Sequence, residues 1–358
     1  MRTIVFITPN VSQPRCVKRV EAFFHHGWQC IVYGYTRGLY DVNSYMDGID
    51  VRVLSSMTSA NNSGKFRQVL EDVRRIVSKH KEKDVVYYAF GMLPALSFRL
   101  LRKKYIYEIS DIMYAYPRFR RVEWLFRGLD RSLIKKSIKT VMTSEGFRSY
   151  LGVRSKKVIL LQNKVNKSLS SYQREEIHFA DKYRFGFVGA VRYESILCFA
   201  EVIGKWFPQH EFHFYGGTGE WTKALCQDLV KRYDNVYYHG PFVNPDDLPA
   251  IYSQLDIIVA CYDVSSVNER IAEPNKLYEA MFFCRPIIVS EGIFLADQVN
   301  RFGCGYAMDG SREESIKEFV SGLQPESLTG ISCRERSIPV SDLLDNSDSI
   351  AEKIESLV

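Results

Sequence analysis

The sequence has no long apolar run, because none of its stretches approaches the ~20 residues that a membrane-spanning helix needs. Arg2 to Thr8 forms a strand-like run at once, without the apolar segment and small-residue cleavage site of a signal peptide. The 8 cysteines have neither zinc-site nor redox spacing, and several lie inside apolar runs, as buried free thiols do. These absences predict a protein of a reducing compartment, the cytoplasm.

Charge of both signs is present but unevenly distributed. Residues 1–180 carry 32 Lys and Arg against 15 Asp and Glu, whereas the remainder carries 16 against 27. This asymmetry suggests two domains with different partners, although a solvated surface without a specific partner is the simpler alternative. A basic half attracts nucleic acid, anionic lipid or a phosphorylated substrate. The chain has no nucleic-acid recognition motif, so we predict no nucleic-acid partner.

Short apolar runs alternate with helix-like segments along nearly the whole chain, which predicts parallel sheets covered on both faces. The pattern weakens over the polar stretch 166–181, where we place a linker. We therefore predict an α/β fold with two Rossmann-like domains, residues 1–170 and 182–340, whose parallel sheets face an interdomain cleft. The tail, 341–358, is expected to end in a helix that packs back toward the N-terminal domain. Ligands bind beyond the carboxyl ends of such strands.

Two glycine-containing turns follow predicted strands of the second domain. Gly189 ends the first strand, and Arg192 just beyond it could pair with a diphosphate. Gly216 and Gly217 begin a glycine-rich turn before a helix, where backbone N–H groups could face a phosphate, base or ribose. The spacing is not that of a dinucleotide fingerprint, which argues against NAD. A tight turn and a surface arginine are the structural alternatives.

The most informative segment is Glu273 to Met281. Pro274 favours a helix start, after which Leu277 and its neighbours at helical spacing form one buried face. Asn275, Lys276 and Glu279 lie on the opposite side. The helix N-terminus offers partial positive charge to a diphosphate, and Glu279 can accept hydrogen bonds from a ribose diol. A solvated polar face is the alternative.

The first domain supplies the remaining candidates. Glu108 and Asp111 end a strand, where either could orient an acceptor hydroxyl or stabilise positive charge on a sugar, or could simply cap a structural element. Arg15 and Arg19 lie near the first loop and helix, where an acceptor's anionic group could bind. The basic segment 118–139, which includes Trp124, is either an ordinary amphipathic helix or a contact with an anionic membrane.

Four segments of the second domain resemble the GT-B fold glycosyltransferases, most closely family 4, the "group 1" transferases. The segments, in chain order, are Phe187-Val188-Gly189, Phe214-Tyr215-Gly216-Gly217-Thr218-Gly219, Val236-Tyr237-Tyr238-His239-Gly240, and Pro274 to Met281. The resemblance is looser over the first domain. It implies a nucleotide-sugar donor that is a substrate rather than a cofactor, retention of anomeric configuration and no metal.

Carried over to this sequence, the resemblance implies that Glu279 binds the ribose hydroxyls. Asn275, Lys276 and Leu277 match the loop and helix start beside the diphosphate, Arg192 lies near the basic clamp, and Gly189, Gly216, Gly217 and Gly240 border the donor. Three features depart from the family. Ile271 stands where a glutamate is common, so Glu273 or Glu269 would have to substitute. The usual clamp lysine is not evident, and the glycine pair after the first strand is absent.

The predicted function is a hexosyltransferase that adds a sugar to a glycan acceptor in polysaccharide biosynthesis. A polyprenyl-diphosphate-linked acceptor would explain the basic first half and a peripheral position at the inner face of a membrane. Two alternatives are kept. A sugar-nucleotide epimerase would use the same fold without an acceptor, and the residue at position 271 is compatible with a non-catalytic donor-binding subunit.

Overall fold

A computed structural model describes residues 2–36, 45–56, 62–80, 85–116, 119–175, 177–217 and 219–357. Position 118, the first of the basic segment, and Thr218 of the glycine-rich turn lie outside these ranges. The chain forms two compact units, the first made of Met1–Gln162 and Asn346–Val358 and the second of Asn163–Asp345. Each unit has an α/β architecture built on its own parallel sheet.

The described part of the first unit forms a sheet of seven parallel strands in the order β3-β2-β1-β4-β5-β6-β7. Their bounds are β1 (Thr3–Thr8), β2 (Gln29–Thr36), β3 (Asp50–Ser56), β4 (Val85–Phe90), β5 (Tyr105–Ile109), β6 (Thr140–Met142) and β7 (Val158–Leu160). The helices between them are α1 (Pro14–His25), α2 (Asn62–Lys79), α3 (Met92–Leu100), α4 (Glu123–Lys136) and α5 (Glu145–Leu151). Central strands such as β4 are buried along their whole length, which explains their unbroken apolar sequence.

In the second unit, the residues that the structure describes form a sheet of six parallel strands in the order β10-β9-β8-β11-β12-β13. Their bounds are β8 (Arg184–Val188), β9 (Glu211–Tyr215), β10 (Val236–Gly240), β11 (Ile257–Ala260), β12 (Ile287–Ser290) and β13 (Gly305–Met308). Strand order reverses between β8 and β11, because the chain builds outward from β8 on one side and then returns to its other side. Ligands of open α/β sheets bind beyond the carboxyl strand ends at such a reversal.

Within the described residues after 177, ten helices follow the strands of the second unit or close the chain. They are α6 (Glu194–Trp206), α7 (Glu220–Arg232), α8 (Leu248–Ser253), α9 (Val267–Ile271), α10 (Asn275–Phe282), α11 (Phe294–Phe302), α12 (Glu313–Ser321), α13 (Pro325–Ser337), α14 (Val340–Leu343) and α15 (Asp348–Glu355). The last helix, α15, belongs to the first unit, where Ile350, Ala351 and Ile354 are fully buried in the core.

The stretch 166–181 differs from the linker expected there, because the structure places it within the second unit. Arg174 holds this stretch by donating to carbonyls at the C-terminal ends of two helices. Its guanidinium reaches Met281 O at 2.8 Å and Phe282 O at 3.0 Å on α10, and Ile338 O at 2.7 Å beyond α13. A cation is favourable at helix C-termini, where carbonyls lack partners within the helix. The unit boundary therefore falls earlier, after Gln162.

Candidate functional site

Three glycines lie side by side at the carboxyl ends of β8, β9 and β10. The N–H of Gly189 donates to Tyr215 O and that of Gly216 to Gly240 O, both at 2.7 Å. Gly216 has φ 143°, and a Cβ built there would lie 1.8 Å from the carbonyl oxygen of Gly189. Only glycine fits this close backbone approach. The predicted glycine positions are thus brought together at one edge of the sheet.

The predicted Pro274-led helix is α10. Pro274 is its extended N-cap residue, with ψ 156°, so the first helical residue is Asn275. Leu277 is fully buried in the core, so its side chain offers no surface for a contact with the donor. Glu279 and Lys276 are only 3% and 5% exposed. These low values exclude the alternative of a solvated polar face.

The carboxylate of Glu279 accepts three hydrogen bonds. Lys276 Nζ donates at 2.9 Å, Tyr252 Oη at 2.8 Å, and the Asn275 amide donates to the other oxygen. Tyr252 lies on α8 and is fully buried, and its ring stacks on Phe283 at a centroid distance of 4.5 Å. Burial and the adjacent carboxylate raise the pKa of Tyr252, so its hydroxyl is a permanent donor. Sequence inspection missed Tyr252, because it is 27 positions from Glu279.

Lys276 connects α10 to the end of β8. A Cβ placed on Gly189 would lie 3.1 Å from Cε and 3.7 Å from Nζ of Lys276. The lysine side chain therefore passes directly over the glycine that follows β8, at the reversal of strand order. Gly189, Lys276 and Glu279 together form a compact polar group where the topology favours a ligand.

Glu273 has a different partner. It is 6% exposed and accepts a short hydrogen bond from Tyr278 Oη. Burial first, and then the neighbouring carboxylate, raise the pKa of Tyr278. The Lys164 ammonium lies 5.8 Å from the centre of the Tyr278 ring. Ile271 is the last residue of α9, so the structure adds no carboxylate at the position where the family often has one.

Arg192 is exposed beyond the end of β8. Its guanidinium donates to Tyr193 Oη at 2.7 Å and lies 5.0 Å from the centre of that ring.

The first turn of α6 is capped by a residue distant in sequence. Asp263 accepts from the backbone N–H of Glu194 at 3.1 Å and of Ser195 at 2.9 Å. This capping by a residue after β11 was not predictable from local sequence. Gly217, predicted beside the donor, accepts from Val191 N–H at 3.2 Å.

The candidates of the first unit are placed differently from the prediction. Glu108 and Arg19 have no exposed surface, and they pair with each other at 3.2 Å. Arg15 approaches the other Glu108 oxygen at 3.4 Å, Tyr88 Oη donates to Glu108, and Arg19 donates to Ser347 near the start of α15. Side chains without exposed surface cannot reach an acceptor, so the structure assigns Glu108 and Arg19 to the scaffold. Asp111 is exposed just past β5.

A second buried carboxylate of the first unit was not predicted. Asp130 on α4 accepts from Tyr114 Oη at 2.6 Å and from Tyr107 Oη. Burial raises the pKa of Asp130 to about 6, against the opposing effect of the two hydroxyl donors. It anchors the inner side of α4.

Within the described ranges, no group of three or more His, Cys, Asp or Glu is arranged to hold a metal ion. None of the helices in the described part of the chain is both long and apolar enough to cross a bilayer. All 8 cysteines are free.

Comparison with known proteins identifies the architecture. Residues 182–321 match the model of the family described as "Glycosyl transferases group 1". Sucrose-phosphate synthase from Thermosynechococcus elongatus superposes with a TM-score of 0.72 at 15% identity, over 100% of this chain and 98% of the other. HepE from Anabaena, solved with UDP-glucose, gives 0.70 at 14% identity over 100% of both chains.

A protein from Listeria monocytogenes named for UDP-N-acetylglucosamine 2-epimerase activity gives a TM-score of 0.66 at 12% identity, over 92% of this chain and 90% of the other. No curated protein matches the sequence. These findings confirm the predicted fold class and the predicted resemblance. The chain has the GT-B fold of two Rossmann-like domains, and its residues 182–321 are similar to the group 1 glycosyltransferases.

Proposed function

We propose that this protein transfers a sugar from a nucleotide-sugar donor to a glycan acceptor, with the donor bound by the second unit. The observation that carries the proposal is the buried Lys276–Glu279 pair beside Gly189. Burying a lysine ammonium and a carboxylate costs free energy unless the two charges are paired or bind a ligand. Their place at the strand-order reversal, within the region similar to the group 1 transferases, supports a role in holding a donor.

The contacts of Glu279 suggest how a donor binds. A carboxylate offers about four lone-pair sites, and three are taken by Asn275, Lys276 and Tyr252. Two ribose hydroxyls need two sites, but only one is open, so one of the three side chains that now donate to Glu279 must leave. Lys276 is the one that a donor can redirect, because a diphosphate over Gly189 would attract its ammonium. In this proposal Lys276 moves from the carboxylate to the diphosphate, and Tyr252 keeps Glu279 oriented for the ribose.

The leaving diphosphate is stabilised in this proposal by Lys276, Arg192 and the positive N-terminal end of α10. We further propose hexosyl transfer that retains anomeric configuration without a metal, as the family resemblance implies. Asp111, exposed at the end of β5, is the proposed group for orienting the acceptor hydroxyl. Glu273 could assist the reacting sugar only by releasing Tyr278. The proposed acceptor is a lipid-linked glycan of polysaccharide biosynthesis, which would bring the protein to a membrane surface.

A thermal-shift screen of sugar nucleotides tests donor binding, because a ligand of the folded state raises the melting temperature. UDP-glucose is the first compound to test, since HepE was solved with it. Calorimetry should then show donor binding weakened about 10–100-fold by Glu279→Gln, as one or two hydrogen bonds to a charged group are lost. Exposed Glu318→Gln is the control. Unchanged affinity in Glu279→Gln would refute the ribose assignment.

An epimerase is a second candidate, because the Listeria protein shares the fold. The two activities are separated by incubating the protein with a sugar nucleotide and no acceptor. Epimerised product would favour the second candidate, and product that appears only with a glycan acceptor would favour transfer. A protein that binds donor and turns over none under either condition would instead be a non-catalytic binding subunit.

A further inference from the structure

We infer that the outward face of α4, with the residues just before it, contacts an anionic membrane surface. This inference deepens the proposed function, in that a lipid-linked acceptor is presented at such a surface. It is carried by exposed apolar side chains, by exposed charge of one sign and by their arrangement on a firmly anchored helix.

The inner side of α4 is fixed to the first unit. Phe126 stacks on Tyr114 at 5.7 Å, Asp130 is held by its hydrogen bonds, and Leu133 and Ile134 are buried. The helix therefore has a defined orientation, and residues two positions from Phe126 point away from the core. Trp124 is one of them.

Large apolar side chains lie on the outward side. Trp124 is 64% exposed, Leu125 51% and Val122 37%. Met113, in the short turn against which α4 packs, is 56% exposed. Single exposed apolar residues are normal, but a cluster with an indole at its centre marks an interaction surface. Tryptophan in particular favours the boundary between water and acyl chains.

The charge around this cluster is positive. Arg120 and Arg121 are exposed before the helix. Arg131 and Lys135 are exposed on it, seven and eleven residues after Trp124, so they lie within about 20° of the indole. Lys136 is exposed eleven residues after Leu125, so it lies on the same side of the helix as that leucine. The only two acidic residues between 119 and 136 are engaged, because Glu123 accepts from Tyr150 Oη at 2.6 Å and Asp130 is buried.

This combination fits a lipid bilayer better than a nucleic acid or an acidic protein. Basic side chains alone would serve any polyanion, because phosphates attract them regardless of source. The leucine and valine beside the tryptophan gain nothing from a nucleic-acid backbone, but they gain from insertion at the headgroup boundary. Basic residues that flank an exposed apolar face are the pattern of peripheral membrane helices.

The test is co-sedimentation of the full chain with vesicles, without sugar nucleotide. We expect the protein to sediment with vesicles of equal parts phosphatidylcholine and phosphatidylglycerol and to bind phosphatidylcholine vesicles at least about tenfold more weakly. The double variant Trp124→Ser, Leu125→Ser should lose about tenfold or more of this binding. The matched control is Trp221→Ser, which removes an equally exposed indole, 64%, from the second unit. It should bind like the wild type.

Both variants alter exposed side chains, so their melting temperatures should match that of the wild type. Wild-type protein that stays in the supernatant with anionic vesicles overturns the inference, as does unchanged binding of the double variant. Equal binding to neutral and anionic vesicles removes the role assigned to the arginines and lysines, and so also overturns it. Binding to duplex DNA but not to vesicles would identify the surface as nucleic-acid binding. A failure of donor binding leaves all these outcomes unaffected, so the two proposals fail separately.

Discussion

Replacing the two members of the Lys276–Glu279 pair, singly and together, should separate their structural role from their proposed role in donor binding. Their charged atoms are 2.9 Å apart, and the side chains are only 7% and 4% exposed. Removal of one partner from a buried pair leaves an uncompensated charge and costs about 3–5 kcal/mol. Because Asn275 and Tyr252 still donate to Glu279, we expect about 3 kcal/mol for Lys276→Met.

The double variant, Lys276→Met with Glu279→Gln, leaves no buried charge at this position. Its loss of unfolding free energy should therefore be smaller than the sum of the two single losses by at least about 2 kcal/mol. Urea unfolding measures this coupling. The control cycle uses the exposed pair Arg67–Glu71, with side chains 84% and 50% exposed, where a coupling of about 0.3–0.5 kcal/mol is expected.

Donor binding should behave in the opposite way. If both side chains contact the nucleotide sugar, the double variant should show no calorimetric binding although its stability has partly returned. Two results would refute the reasoning. Additive stability losses would mean that the pair does not interact as the structure shows, and retained donor affinity in the double variant would mean that these side chains hold the helix rather than the ligand.

Three further changes have defined outcomes. Tyr252→Phe keeps the stack on Phe283 but removes a hydrogen bond to Glu279. Calorimetry should therefore show affinity for the nucleotide sugar reduced about 3–10-fold, while kcat of the bound complex changes less. Full affinity would contradict the positioning role of Tyr252. Arg174→Met leaves carbonyls at two helix ends unpaired, so it should lower the unfolding free energy by about 3 kcal/mol. Arg174→Lys should not restore that free energy, because one ammonium cannot span both helix ends. In the folded protein the pKa of Asp130 is raised to about 6, against about 3.9 in the unfolded chain, so the folded state binds the proton more tightly. The stability that protonated Asp130 contributes is therefore fully present below pH 4 and is lost as pH rises through 6. The unfolding free energy of Asp130→Asn minus that of the wild type should therefore rise by about 2–3 kcal/mol between pH 4 and 7; a constant difference would contradict the raised pKa.

The parts of the fold that local pattern determines were predictable. Short apolar runs predicted the buried parallel strands, because residues covered on both faces need no polar alternation. The spacing around Pro274 predicted α10, because proline suits a helix start and the apolar residues recur at helical intervals. Gly189 and Gly216 were singled out as places where a ligand could approach the backbone, whereas the close approach that the structure shows is between the two glycine backbones themselves.

The parts that depend on distant residues were not predictable. Arg19 was assigned to an acceptor site because it lies near the first loop and helix, and Glu108 was assigned to orient an acceptor hydroxyl or stabilise a sugar because it ends a strand. Their burial results from pairing across 89 positions and from Ser347, 328 positions after Arg19. The Tyr252–Glu279 and Asp263–Ser195 contacts are likewise long-range. A single sequence gives no signal for such pairs.

The position of α15 has a consequence for dissecting the molecule. The helix supplies three side chains to the core of the first unit, and Ser347 beside it accepts a hydrogen bond from Arg19. A fragment ending at residue 162 would therefore expose an apolar groove where α15 packs. It would also leave the buried guanidinium of Arg19 without the hydroxyl of Ser347 as an acceptor. The N-terminal half is a discontinuous folding unit, so isolating it requires grafting residues 346–357 onto the fragment rather than cutting the chain once.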